Sequence, residues 1–146
     1  MSNRRRLPFE VTLQVRDACL CLHLQRAARV VARRFDEALR PLGITSGQFS
    51  LLMSLNRPQP PTIGDVAPLL AMDRTTLTAN LKPLERNGLV TIAVDKNDRR
   101  SRRLSLTQGG VDLLIAATPI WKKTHAEIEE PLKNADRLRA ELNALS

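Results

Sequence analysis

Residues 62–107, TIGDVAPLLAMDRTTLTANLKPLERNGLVTIAVDKNDRRSRRLSLT, decide the fold. They read as helix, tight turn, helix and two-stranded hairpin, in that order. Thr62 is placed to cap a short helix over about 62–70, with Val66, Ala67 and Leu70 as its apolar face. Ala71-Met72-Asp73 forms the turn. Asp73 then caps a helix over 74–87, where Leu77, Leu81 and Leu84 recur at helical spacing and Asn87-Gly88 supplies the stop. Residues 89–94 alternate as a strand, residues 102–106 do the same, and Asp95–Ser101 is a polar hairpin tip.

The exposed side of the second helix carries Arg74, Thr75, Thr76, Thr78, Ala79 and Lys82. Hydroxyl, methyl and guanidinium groups at a helix N-terminus suit a major groove, because threonine meets thymine methyls or phosphates and arginine pairs with guanine. The helix N-terminus itself favours a phosphate. The hairpin then sets Lys96, Arg99, Arg100, Arg102 and Arg103 against one acid, Asp98. These cations repel one another unless a polyanion lies near. The expectation is that Asp98 folds back on an arginine to shape the tip, while another arginine enters a minor groove. Ordinary helix packing beside a solvated charge run would give each feature alone. The adjacency of the two favours a reader of double-stranded DNA.

Outward from this centre, residues 1–14 read as a basic tail containing Pro8. One long helix is expected over about 15–40, with Leu20, Leu24, Ala27, Val31, Phe35 and Ala38 on one face and Arg26, Arg29 and Arg33 opposite. It must stop near Pro41 and Gly43. Thr45 or Ser46 caps a helix over about 46–56, and Arg57–Pro61 is a stiff linker that cannot be helical. Thr107 caps a C-terminal helix in which Pro119 predicts a kink, and Pro131 is expected to start a last helix carrying Leu138, Leu142 and Leu145. The fold class is therefore mainly α with a small β-hairpin wing.

Composition agrees. The 146 residues carry a net charge of +8, concentrated before residue 108; residues 108–146 hold five basic groups against six acids, so this quarter is not a polyanion surface. Aromatics are only 3%, which leaves the core to Leu, Ala, Val and Ile. Cys19 and Cys21 are too close in sequence to staple a fold, no secretory signal or spanning run is read, and a cytoplasmic setting without membrane is expected. Two histidines, with no Gly-rich phosphate loop, His-Glu-x-x-His or Gly-x-Ser-x-Gly, argue against an enzyme, and nothing calls for a cofactor. A constitutive architectural DNA-binding protein without effector shares these features and would differ in showing weak sequence preference.

Three linked stretches resemble the MarR family of regulators. RPLGITSGQFSLLMSL resembles the end of the family's first helix and its second helix, DRTTLTANLKPLERNGLV its recognition helix, and DKNDRRSRRLSLTQGG its wing and following helix. In the last stretch Asp95, Asp98, Arg100, Leu106, Thr107 and Gly110 match the family pattern, whereas Lys96 replaces its usual proline. The resemblance implies a homodimer on a pseudo-palindromic operator, acting as a repressor released by a small ligand or an oxidant. It divides the chain into a tail (1–14), an N-terminal dimerisation helix (15–45), a winged helix-turn-helix (46–107, recognition helix about 74–87, wing about 89–106) and C-terminal dimerisation helices (108–146).

The switch has several candidates. Cys19 and His23 share a helical face but Cys21 lies about 200° away, so these three do not converge on a metal. Cys21 precedes Gly43 by an offset that resembles the peroxide-sensing cysteine of the family's organic-hydroperoxide branch. The tyrosines which that branch uses are absent here, and the competing reading is a small buried thiol. The family also binds phenolic or aromatic carboxylate ligands. Phe49 and Met53 are candidates to line such a site, or to be ordinary core, and Arg16 or Arg26 to pair with a carboxylate. Trp121 suits either core or partner burial.

Overall fold

A computed structural model describes residues 4–146. Helix α1 (Phe9–Ala18) is the first element of the described residues, so the expected tail is helical from residue 9. Pro8 precedes it with φ −59°, and the Val11 N–H closes the first turn on the Pro8 carbonyl. The sequence hides this helix because Phe9, Val11, Leu13 and Val15 fall at every second position and make no helical stripe. Phe9 is 68% exposed.

The single helix expected over 15–40 is also divided. Cys19, with ψ 110°, ends α1 and precedes α2 (Leu20–Leu39). No glycine or proline marks this break. The Cys19 carbonyl takes the His23 N–H and also the His23 ring Nδ1, at 2.7 Å. Only the C-terminal part of the expected α2 stripe packs in the single chain: Val31, Phe35 and Ala38 are half-buried, while Leu20, Leu24 and Ala27 are exposed. A 3-10 turn over Arg40–Leu42 and Gly43, at φ 72°, reverse the chain as Pro41 and Gly43 require.

Helix α3 (Ser46–Ser54) starts in a capping box of Thr45 and Gln48, and Asp36 of α2 accepts the Ser46 N–H at 2.7 Å. Helix α4 (Ile63–Leu69) starts in a second box, Thr62 with Asp65. The turn passes through Ala71 at φ 50°, with the Met72 N–H bonded to the Ala67 carbonyl. Helix α5 (Arg74–Arg86) follows, capped by Asp73. Strands β1 (Val90–Val94) and β2 (Arg102–Leu106) pair antiparallel, Val90 opposite Leu106 and Val94 opposite Arg102.

Thr107 caps helix α6 (Gln108–Glu129), which continues as one element through Pro119 and packs chiefly on α2. Helix α7 (Ala135–Asn143) begins later than Pro131 predicts. Asn134 caps it by accepting the Arg137 N–H, which a proline could not do, and Pro131 lies in the link between the helices. Arg139 of α7 bridges to Glu129 of α6. The largest fully buried side chains are Leu39, Leu52, Val66, Leu77, Leu81, Leu84, Val90 and Leu104. Trp121 is half-buried against it and stacks on Phe49, ring centroids 6.5 Å apart. Among the described residues no helix is long and apolar enough to cross a membrane.

Candidate nucleic-acid interface

Burial of Leu77, Leu81 and Leu84 fixes which side of α5 faces outward. Arg74, Thr75, Thr76, Thr78 and Lys82 are all exposed there, but they are not equivalent. Thr76 donates its hydroxyl to Asp73 Oδ2 at 2.9 Å, and its N–H bonds Asp73 Oδ1 at 2.7 Å. Thr78 donates its hydroxyl to the Arg74 carbonyl at 2.8 Å. Thr75 alone of the three has no such internal bond among the described residues. Arg74 is laid back over α4: a Cβ built on Gly64 would lie 3.3 Å from its Nη2. Hydrogen bonds from the Thr76 and Thr62 main chains hold the carboxyls of Asp73 and Asp65 below the usual carboxylate range. Both caps stay charged at neutral pH beside helix N-termini.

The hairpin tip is shaped by main-chain bonds. Asp98 does fold back on an arginine, through the main chain: it accepts the Arg100 N–H at 3.0 Å and not a guanidinium. The short Asx turn is local and satisfies a main-chain donor that an arginine side chain would leave free. The Ser101 N–H reaches the Asp98 carbonyl at 2.9 Å, and the Asp95 N–H reaches the Ser101 carbonyl at 3.0 Å. Arg102 curls inward, its Nη1 donating to the carbonyls of Arg99 and Ser101 at 3.1 and 3.3 Å. Arg103 is committed as well, to the Pro60 carbonyl and the Asp95 carboxylate. That leaves Lys96, Arg99 and Arg100 exposed, with no ion pair among the described residues.

Of the effector candidates, Phe49 and Met53 come together. They line an apolar cavity of about 510 Å³ with Leu69, Leu70, Thr118 and Trp121, at the junction of α3, α4 and α6. The sequence missed Thr118 and the α4 leucines, because nothing local shows that α6 crosses this gap. Trp121 also stacks on His125, centroids 4.7 Å apart. Arg16 and Arg26 are not at this cavity: Arg16 pairs with its neighbour Asp17 at 2.7 Å, and Arg26 lies along α2 beside His23 and Val30. Cys19 is half-buried and Cys21 exposed, so Cys21 is not a buried hydrophobe within the single chain. Both thiols are free. No group of three His, Cys, Asp or Glu residues is placed to hold a metal among the described residues.

A capped helix pair with a sharp turn, followed directly by a cationic antiparallel hairpin, defines a winged helix-turn-helix regulator. The model of the MarR family matches residues 44–101. The organic hydroperoxide resistance transcriptional regulator of Bacillus subtilis is 33% identical over 101 residues, which are 69% of either chain. The transcriptional activatory protein BadR of Rhodopseudomonas palustris is 32% identical over 94 residues, 62% of this chain and 54% of BadR. The crystal structure of the Mycobacterium tuberculosis regulator MosR in complex with DNA superposes with a TM-score of 0.81 at 35% identity, covering 87% of this chain and 92% of MosR. This chain belongs to the MarR family of transcriptional regulators.

Proposed function

We propose that two copies of this chain bind a pseudo-palindromic DNA operator, repress from it, and release it on binding a small aromatic or phenolic ligand or on thiol oxidation. One observation carries the DNA reading: the Thr75 hydroxyl and the side chains of Lys96, Arg99 and Arg100, all exposed and without a protein partner among the described residues, lie on α5 and on the hairpin that follows it. The DNA-bound state of MosR supports it. Homodimerisation is supported by apolar side chains left outside at both ends, Leu7, Phe9 and Val15 at one and Leu138, Leu142 and Leu145 at the other. On this reading residues 15–45 and 108–146, extended forward by α1, form the dimer, and residues 46–107 the DNA-binding part. The protein is then a cytoplasmic, non-catalytic regulator. The cavity at Phe49 and Met53 supports the ligand route, and the exposed Cys21 together with the name of the B. subtilis relative supports the oxidant route.

In-vitro selection from random duplexes, then footprinting with and without an organic hydroperoxide, tests this. A twofold site with half-sites about 34 Å apart is expected. A monomeric protein, or protection without twofold symmetry, overturns the reading. On the selected duplex, Arg100→Ala is expected to weaken binding and lower the log–log salt slope by about one. Thr75→Ala is expected to lose about 1–3 kcal/mol of discrimination at one base pair per half-site. Cys21→Ser is expected to bind DNA as wild type but to stay bound in hydroperoxide; release of that variant removes Cys21 as the sensor, and release of the Cys19→Ser, Cys21→Ser double variant removes the thiol route and leaves the ligand route.

A further inference from the structure

Arg103 belongs to the cationic run of the hairpin in sequence, yet its guanidinium is taken up by the proline linker and by Asp95, where β1 enters the tip. Nη1 donates to the Pro60 carbonyl at 2.8 Å, and Nη2 lies 3.4 Å from Asp95 Oδ2. The Asp95 side chain is only 11% exposed and that of Arg103 39%. Around this contact the linker runs beside β2: the Leu104 N–H donates to the Pro61 carbonyl at 2.9 Å, and Thr62 pairs with Arg103 in an antiparallel bridge. Thr62 is also the residue that caps α4. The end of β1 and the proline linker therefore meet at the Arg103 guanidinium, and the start of the helix-turn-helix meets the Arg103 main chain. Only a planar fork of donors at fixed spacing reaches a carbonyl and a carboxylate together; a lysine ammonium holds the charge but not that geometry.

We infer that Arg103 and Asp95 form a positioning pair that sets the angle of the wing against the recognition helix, and that Arg103 acts on DNA through Lys96, Arg99 and Arg100 without touching it. This rests on the DNA-binding reading of the wing. It inverts a simple electrostatic expectation. Asp95 is an acid beside a cationic hairpin, so charge alone says that removing it tightens binding. A positioning role says that removing it weakens binding.

The test uses the full-length chain and the duplex selected by the wild type. Arg103→Lys and Asp95→Asn are each expected to weaken binding about tenfold, with the double variant no weaker than either single one. Wild-type affinity in Arg103→Lys overturns the proposal, because a plain charge then suffices. Tighter binding by Asp95→Asn overturns it as well. Arg100→Ala separates the two layers. If Arg100→Ala binds as wild type, the wing reading itself fails. If Arg100→Ala weakens binding while Arg103→Lys does not, the positioning pair alone fails. Thermal melting identifies variants that have not folded. Arg103→Lys keeps the charge at a half-exposed position, so it decides the matter even if Asp95→Asn does not fold.

Discussion

Gly110→Ala is expected to destabilise the fold by about 2–3 kcal/mol, read as a melting midpoint lower by roughly 5–12 °C. A Cβ at Gly110 would lie 2.2 Å from the Leu89 carbonyl oxygen and 3.2 Å from Leu106 Cδ2. The first distance is far inside van der Waals contact, and the obstacle is main chain. Leu89 has little freedom to yield: its carbonyl accepts the Thr107 N–H at 3.1 Å and its own N–H bonds the Leu84 carbonyl at 2.9 Å. Thr107 is further held by its hydroxyl on the Gly88 carbonyl at 2.6 Å. The glycine thus allows α6 to start directly against the base of the wing. Gly109→Ala is the matched control. Its nearest neighbours would be at 3.5 and 3.6 Å, ordinary contacts, so it is expected to be neutral or slightly stabilising. If both variants melt together with the wild type, the close approach at Gly110 is wrong.

Leu81→Ala is expected to cost about 2–5 kcal/mol in denaturant unfolding. Leu81 is completely buried midway along α5, between Leu77 and Leu84, where that helix packs on α4 and β1. Truncation there removes apolar contacts from the one face that seats α5. Lys82→Ala, one residue on and exposed, is expected to leave unfolding unchanged while weakening DNA binding. Equal unfolding midpoints for Leu81→Ala and the wild type would mean that the helix is seated differently.

The centre of the fold was legible because each of its signals is local. Thr62, Asp73 and Thr107 act within three residues of themselves, and Leu77, Leu81 and Leu84 announce their face by spacing alone. What was not legible depends on contacts distant in sequence or on competition for a single group. The break at Cys19 has no breaker residue, only a carbonyl shared with His23. Asn134 prevails over Pro131 because a side-chain oxygen satisfies a helix donor. Arg103 reaches back across 43 residues to Pro60, so composition grouped it with cations whose surroundings differ completely. The same limit governs the candidate site. The residues that could meet DNA are visible in the sequence, but which of their polar atoms are already committed is visible only in three dimensions.

The tip of the wing separates shape from charge. Its loop is held by main-chain groups and by the Asp98 carboxylate, and no side-chain atom of Lys96, Arg99 or Arg100 takes part in those bonds. Exchanging those three side chains is therefore expected to leave foldedness almost untouched, so that on the proposed reading the grip on a duplex can be retuned there independently of stability.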